Sequence, residues 1–341
     1  MSHSTQQELD IAIILLNFNG WQDTVTCLDS LRRADLGSHK VYLIDNGSTN
    51  DSVARIQQWQ SETGFFGATY EYGLDRESLP IDDSDHIFII NHNNDGFAGG
   101  NNIGIALAQL NGVDHILLLN NDTEVTASFL KPLREFLYQN PGAALTPQIR
   151  YFDRPDTLWN CGGYLKWPMR VQYLFARQSV SKVTQSVYPL TFITGCALLF
   201  DVSKTGPLTE HFFFGEEDVE FSKRLGRLGV PMYCIADSVI YHKVGTTLKR
   251  TARKIEIYVL KRLVNTRQQT GRFTTWAAYL YYSLVLLRRL TLESGIPAME
   301  ALKRTQRVVA LSRKLDEVNK TLCVDYVRGE QVQLSSTPIL E

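Results

Sequence analysis

Three groups of side chains in this chain have types and spacings suited to chemistry. The first is Asn120-Asn121-Asp122-Thr123, which follows directly on the apolar run Ile116-Leu117-Leu118-Leu119. In open α/β sheets, ligands bind just beyond the carboxyl ends of the strands. A carboxylate placed there can hold a hard cation, and the cation can hold phosphate. An ordinary turn or helix cap uses the same residue types, so this stretch alone leaves both explanations open. The second group is Phe212-Phe213-Phe214-Gly215-Glu216-Glu217-Asp218-Val219-Glu220, where three aromatics abut four acids. On a helix, Glu217 and Glu220 share a face at i,i+3 and Asp218 points elsewhere. Carboxylates crowded beside apolar rings acquire raised pKa values, which suits a general base. An acidic first turn favoured by the helix dipole is the competing explanation. The third group is Val239-Ile240-Tyr241-His242, an apolar run ending in an imidazole, which is either a metal ligand or a structural residue.

Two further stretches bear on binding. Asp45-Asn46-Gly47-Ser48 follows the run Val41–Ile44; its carboxylate can accept hydrogen bonds from a base or ribose edge or close an Asx-turn. Asn94-Asp95-Gly96-Phe97-Ala98-Gly99-Gly100-Asn101-Asn102 reads as a small-residue loop leading into a helix over 102–109. Glycines allow close backbone approach to a ligand and a helix N-terminus favours anions. The loop lacks the Lys-Ser/Thr ending of a P-loop.

Positioning these groups requires strands that end at them. Ile11–Leu16 and Val41–Ile44 are apolar, β-rich runs of the kind buried in parallel sheets. Helical spacing over 23–33 and 51–60 alternates with them, the opening of a doubly wound sheet. Residues 61–85 break this rhythm with Gly, Pro and acids and are expected to be an inserted excursion, such as a hairpin. Strands are expected again over 86–90, 115–119 and 144–149, hairpins within 151–188, strand-rich segments over 190–200 and 231–241, and helices over 128–139 and 216–228. Beyond Thr247 the chain reads as helical and basic.

The 341 residues suffice for one large α/β domain with an appendage or for two domains, and 44% hydrophobic with 21% charged residues fits a globular core. A net charge of -1 hides an asymmetry: from Lys249 to Lys314 fifteen Lys and Arg face three acids, so this segment carries +12 and the remainder -13. A basic segment points to an anionic partner, a membrane leaflet or nucleic acid, and no nucleic-acid recognition motif accompanies it. Five scattered cysteines without metal spacing argue for reduced thiols in a cytoplasmic protein. Met1–Asp10 lacks a signal-peptide core. The longest uncharged stretch near the tail, Phe273–Leu287, is fifteen residues, short of the roughly twenty that span a bilayer. Within it Trp276, Tyr279, Leu280, Leu284 and Leu287 form one apolar stripe followed by Arg288 and Arg289. The stripe suits peripheral attachment to an anionic membrane, or packing on the rest of the chain or on a second subunit.

In their order along the chain these motifs resemble glycosyltransferase family 2, close to its bacterial rhamnosyltransferase-like branch. The resemblance runs from about Ile11 to Thr247 and rests on Asn17-Phe18-Asn19, Asp45-Asn46-Gly47-Ser48, the stretch Gly96–Asn102, Asn120-Asn121-Asp122, Glu217-Asp218 and His242. It implies a GT-A fold, a Rossmann-like and mostly parallel α/β sheet flanked by helices, over 1–247, with a helical basic region over 248–341. It also implies inverting transfer of a sugar from a nucleotide-sugar donor, dTDP-rhamnose or a UDP-sugar, to a hydroxyl of a glycan or lipid-linked acceptor. The family's D-x-D metal motif matches Asn120-Asn121-Asp122, without its first acid. Asp122 is then the principal protein ligand of Mg²⁺ or Mn²⁺, with His242 as a second. Asp218 is the general base and Glu217 orients it or the acceptor. Asp45 holds the nucleoside, and Asn17, Gly99, Asn102 and Asn121 pack around the donor. The expected setting is bacterial surface polysaccharide synthesis, on the inner face of the cytoplasmic membrane. Asn120 in place of an acid motivates an alternative, a catalytically impaired relative acting as a binding or scaffold subunit. A nucleotidyltransferase would not explain Glu217-Asp218 together with His242.

Overall fold

The computed structural model describes residues 9–73, 79, 84, 86–244 and 251–329. Strand β1 (Ile11–Asn17) is followed by α1 (Trp21–Arg32), β2 (Lys40–Asn46), α2 (Ser52–Thr63), β3 (Ala68–Tyr72), β4 (His86–Asn91), α3 (Gly96–Leu110) and β5 (His115–Asn120). Then come β6 (Thr123–Val125), α4 (Leu130–Gln139), β7 (Ala144–Tyr151), β8 (Leu158–Asn160), the hairpin strands β9 (Gly163–Lys166) and β10 (Arg170–Tyr173), β11 (Val187–Leu190), β12 (Ala197–Asp201), α5 (Val202–Thr205), α6 (Glu217–Leu228) and β13 (Met232–His242). Four helices close the described chain: α7 (Ala252–Gln269), α8 (Arg272–Leu292), α9 (Ala298–Ser312) and α10 (Lys320–Arg328).

The main sheet runs β11-β13-β7-β12-β5-β1-β2-β4-β3, with β6 beside β13 and β8 beside β7. Strands β5, β1, β2, β4 and β3 are mutually parallel, and β12 joins antiparallel between β5 and β7. Alternate residues of β1 explain the uninterrupted apolar run. Ile11, Ile13 and Leu15 enter one core with Cys27, Leu28 and Leu31 of α1, while Ala12 and Ile14 enter a second with Ile103, Leu107 and Ala108 of α3. A sheet covered on both faces has no polar side to alternate with. The chain leaves β1 toward β2 and returns on β1's other side as β5, so the crevice between the ends of β1 and β5 is a topological switch point.

Two sequence expectations need correction. The segment 61–85 is not a free excursion: Ser61–Thr63 complete α2, and β3 pairs in parallel with β4 as the sheet's edge strand. An edge strand is half-exposed, as β3 is, so it lacks the apolar run of its neighbours. Residues 74–78, 80–83 and 85 of that segment lie outside the described residues, as do Gly245–Thr247 and the ends 1–8 and 330–341. Likewise, the glycine-rich stretch is not a loop before a helix; α3 begins at Gly96 and contains it. A Cβ on Gly100 would lie 2.4 Å from Leu16 Cδ1, and one on Gly104 2.7 Å from Ile14 Cγ2. The glycines let α3 press against β1.

The basic segment is helical, as its sequence suggests. Its helices build a third core, in which Ile255, Leu260, Leu263 and Val264 of α7 pack with Ala278, Tyr282, Leu286 and Leu290 of α8 and Ala301 and Val308 of α9. Phe212 joins this core from the turn before α6, which ties the C-terminal helices to the acidic cluster.

Candidate active site

At the carboxyl ends of β1, β2 and β5 a cavity of about 700 Å³ is lined by Phe18, Asn46, Asn94, Gly96, Asn120, Asn121, Asp122, Trp159, Tyr173, Thr194, Gly195, Cys196, Glu217, Asp218 and His242, among others. Two of the three reactive groups meet through strand pairing. Strand β13 runs antiparallel to β6 with His242 opposite Thr123, and the Lys243 amide donates to the Asp122 carbonyl at 2.8 Å. His242 Nε2 thereby lies 3.1 Å from Asp122 Oδ1. The contact is an ion pair when the ring is protonated, and His242 Nδ1, on the other side of the ring, finds no hydrogen-bond partner among the described residues. Trp159 packs edge-on against the imidazole at 4.4 Å. Burial by itself disfavours the charged ring, but the Cys196 sulfur and the Asp122 carboxylate beside it push His242 up to about 10.

The third group arrives on α6 through an unusual turn. Phe214, Gly215 and Glu216 take φ values of 58°, 107° and 90°, left-handed conformations that bulky residues rarely adopt. Such strain persists only where surrounding contacts hold it, and α7 supplies them. Lys261 Nζ donates to the Phe213 and Phe214 carbonyls at 3.3 and 2.5 Å. Arg262 Nε donates to both Glu216 carboxylate oxygens at 2.8 and 2.6 Å, and Asn265 Nδ2 adds a third bond at 3.2 Å. Glu216 thus faces backwards into the third core, while Glu217 and Asp218 line the cavity. Glu220 pairs with Arg224 instead, so the chemical pair is Glu217 with Asp218 rather than Glu217 with Glu220. A Cβ on Gly195 would lie 3.2 Å from the Phe97 ring and 3.8 Å from Asp218 Cβ, so the glycine lets the cavity floor approach the acid.

Burial, with the Asp218 charge adding to it, raises Glu217 to about 7 against the opposing hydrogen bond from the Gly215 amide. Glu217 Oε1 has no hydrogen-bond partner among the described residues. Burial and the Glu216 carboxylate raise Asp218 to about 6, with Arg262 pulling the other way. Two acids with proton affinities near neutrality in one cavity can exchange protons with a bound hydroxyl.

The remaining expected residues divide. Asn121 lines the cavity, and its amide donates to Thr24 Oγ1 at 2.8 Å. Asn17 and Asp45 are buried beneath it. Asn17 Nδ2 donates to Asp45 Oδ2 at 2.6 Å and Asn17 Oδ1 accepts from Thr24 Oγ1 at 2.7 Å. Asp45 also accepts from the Ser48 amide and hydroxyl at 2.9 and 2.7 Å. These bonds lock the ends of β1, β2 and β5 together, a positioning role; Asn46 and Phe18 line the cavity in their stead. Gly99 and Asn102 do not line the cavity. Gly99 faces Asp95 and Glu210, and Asn102 brackets Leu208 and bonds Glu210 at 2.8 Å, so both face the 208–210 segment rather than the cavity. Trp159, Tyr173, Cys196 and Arg262 escaped the sequence reading. Only the fold places them, although Lys261 and Arg262 interrupting the apolar run 257–264 were a readable sign.

The description "Glycosyl transferase family 2" fits a family model that matches residues 12–193, more than half of the chain. The chain belongs to that family. A search of the curated proteins found no match. Among solved structures, this family-2 glycosyltransferase is similar to GalNAc-T7 crystallised with UDP, GalNAc and Mn²⁺, at a TM-score of 0.60 and 14% identity, over 89% of this chain and 55% of that one. It therefore spans little more than half of that neighbour. It is also similar to the mannosyltransferase PcManGT from Pyrobaculum calidifontis in complex with GDP-Man and Mn²⁺, at 0.50 and 12%, over 94% of this chain and 78% of that one. S. aureus TarS 1-349 in complex with UDP is a third, at 0.51 and 12%, over 95% and 93%. At these identities the likeness establishes the GT-A fold, and the family match establishes a glycosyltransferase.

The cavity's donor set fits a hard divalent cation. Asp122 Oδ1 is a buried carboxylate oxygen whose neighbour is His242 Nε2 at 3.1 Å; a cation would take the place of the imidazolium charge there, with His242 ligating once its proton has left. Among the described residues no three His, Cys, Asp or Glu side chains converge into a complete cage. Mg²⁺ is usually bound by one or two carboxylates, with substrate phosphates and water completing its shell.

Proposed function

We propose that this glycosyltransferase is metal-dependent and inverting, and moves a sugar from dTDP-rhamnose or a UDP-sugar to a hydroxyl of a glycan or lipid-linked acceptor in bacterial surface polysaccharide synthesis. One observation carries the reading. Glu217 and Asp218, acids with raised proton affinity, line the same cavity as the Asp122–His242 pair. The donor diphosphate sits at the Asp122 end, where Asp122 and His242 would hold Mg²⁺ or Mn²⁺. The ion, when bound, neutralises the departing nucleoside diphosphate as a Lewis acid. The acceptor occupies the Asp218 end, beside the Tyr173 ring. Asp218 takes the acceptor hydroxyl proton as its oxygen forms a bond to the anomeric carbon. The bond from that carbon to the diphosphate oxygen breaks on the opposite face, which inverts the configuration. Glu217, raised to about 7 and so partly protonated at neutral pH, donates a hydrogen bond in that form that orients the acceptor. Mn²⁺ with UDP and GalNAc in one similar structure, and with GDP-Man in another, supports the donor half of this reading.

A scaffold role without catalysis would not require two acids in the cavity with proton affinities tuned in this way. A donor screen tests the proposal: purified protein is incubated with dTDP-, UDP- and GDP-sugars with and without Mg²⁺ or Mn²⁺, and nucleoside-diphosphate release is measured. Release with a dTDP- or UDP-sugar that depends on the added metal is expected. No release and no binding with any of them refutes the enzymatic assignment.

A further inference from the structure

Helix α8 has two apolar faces. Ala278, Tyr282, Leu286 and Leu290 pack into the third core. On the other side Phe273, Trp276, Leu280, Leu284 and Leu292 are 52–73% exposed, spaced at three, four and eight residues as one helical stripe demands. Tyr279 and Leu287, which belong to the stripe by sequence spacing, pack partly against the core instead. The ridge does not end with the helix. Trp167, 58% exposed at the tip of the β9–β10 hairpin, stacks on Phe273 with ring centroids 6.2 Å apart. At the far end Leu284, Leu287 and Leu292 of α8 and Met299 and Leu302 of α9 form an apolar groove of about 550 Å³.

Charge frames this ridge with one sign. Lys166 and Arg170 flank the hairpin tip, and Arg272 and Arg288 lie toward the two ends of α8, all four exposed. Between Arg272 and Met299 the chain has one acid, Glu293, and Arg289 of the same helix holds it at 3.1 Å. An extended apolar stripe with exposed indoles, bordered by long cations, matches the boundary of an anionic bilayer: rings and aliphatic side chains enter the acyl edge while cations remain at headgroup level. Among the described residues no helix is long and apolar enough to cross a membrane, and the stripe spans about 28 Å at 1.5 Å per residue, a length suited to lying in the interface. A self-associating copy would bring its own Arg272, Arg288, Lys166 and Arg170 against these, like facing like.

We infer that the outer face of α8, together with the Lys166-Trp167 tip, is a docking surface for an anionic lipid bilayer. The surface is joined to the cavity. The Met169 carbonyl accepts from Arg262 Nη1 at 2.6 Å and from the Tyr282 hydroxyl at 3.0 Å, and the hairpin ends at Tyr173 on the cavity wall. Docking therefore fixes the cavity mouth relative to the lipid surface. If the proposed transfer is correct, this favours acceptors carried on a lipid, but the docking itself does not depend on that transfer.

The test is cosedimentation of the full chain with phosphatidylglycerol-rich vesicles and with pure phosphatidylcholine vesicles. Binding to the anionic vesicles is expected, with loss at raised salt. Trp276→Ser/Leu280→Ser should weaken it by about tenfold or more, and Lys166→Glu/Arg288→Glu should weaken it on anionic vesicles while leaving weak binding to neutral ones unchanged. All four positions are exposed, and an unchanged circular dichroism spectrum and UDP affinity confirm an intact fold. Absence of binding to anionic vesicles overturns the inference. So does binding that neither variant weakens. A dimer in light scattering that Trp276→Ser/Leu280→Ser dissociates, without vesicle binding, assigns the ridge to a second copy and equally overturns it.

Discussion

Arg262 lies 46 residues from Glu216 in sequence, yet the two meet with side chains only 4% and 1% exposed. Replacing Arg262 by Met leaves a carboxylate buried without its cation. Breaking such a pair from one side destabilises by about 3–5 kcal/mol. Asn265 still donates to Glu216 at 3.2 Å, so a value near the lower end, about 3 kcal/mol, is expected. Glu216→Gln neutralises the acid with the same shape and backbone preference. In Arg262→Met/Glu216→Gln no buried charge is left uncompensated, and a coupling of about 2 kcal/mol should return relative to the sum of the singles. Urea unfolding followed by far-ultraviolet circular dichroism measures all four corners of this cycle. A second readout separates electrostatics from mere structure. Glu216 raises the proton affinity of Asp218 and Arg262 lowers it. The acidic limb of kcat/KM should therefore move to higher pH in Arg262→Met and to lower pH in Glu216→Gln. Additive stabilities, or limbs that move in the same direction, refute the view that α7 holds and tunes the acid through Glu216.

Asp218→Asn should lower kcat by about 10²- to 10⁴-fold, the usual contribution of a general base, while UDP affinity by calorimetry stays unchanged. Because Asp218 acts ionised and is held at about 6, wild-type kcat/KM should rise with pH through that value and fall away below it; a profile flat down to pH 4.5, roughly the ordinary range of a carboxylate, contradicts the assignment. Asp122→Ala should weaken metal-dependent UDP binding at least about tenfold, the loss seen even for outer-sphere partners of metal sites, with metal-independent binding spared. Gly100→Ala forces a methyl to 2.4 Å from Leu16 Cδ1 and should destabilise by about 1–3 kcal/mol, whereas Gly226→Ala on α6 meets open space and should stabilise by about 0.5–1 kcal/mol; equal effects in thermal melts would undo the packing explanation of the α3 glycines.

What was legible in the sequence follows from which interactions are local. The runs Ile11–Leu16, Val41–Ile44 and Ile116–Leu119 announce buried parallel strands because both faces of the sheet are covered, and a strand's end is where its polar residues begin. Asp122, His242, Glu217 and Asp218 could therefore be placed at element ends, and all four line one cavity. What the sequence hid turns mostly on partners that the fold brings close. Gly99 and Gly100 look like a ligand loop until Asp95 and Leu16 are seen beneath them. Asp45 looks available until Asn17 and Ser48 fill its oxygens. Phe214-Gly215-Glu216 looks like an acidic helix start, but its left-handed backbone exists because α7 brings Lys261 to two carbonyls and Arg262 to one carboxylate. The C-terminal helices, which by composition are a basic appendage, thus hold the turn that aims Glu217 and Asp218. Their inner face shapes the acid pair, and their outer face remains exposed. A perturbation that reaches α7 from that outer face has a short physical route to the turn before α6: α8 through Tyr282, then Arg262, then Glu216.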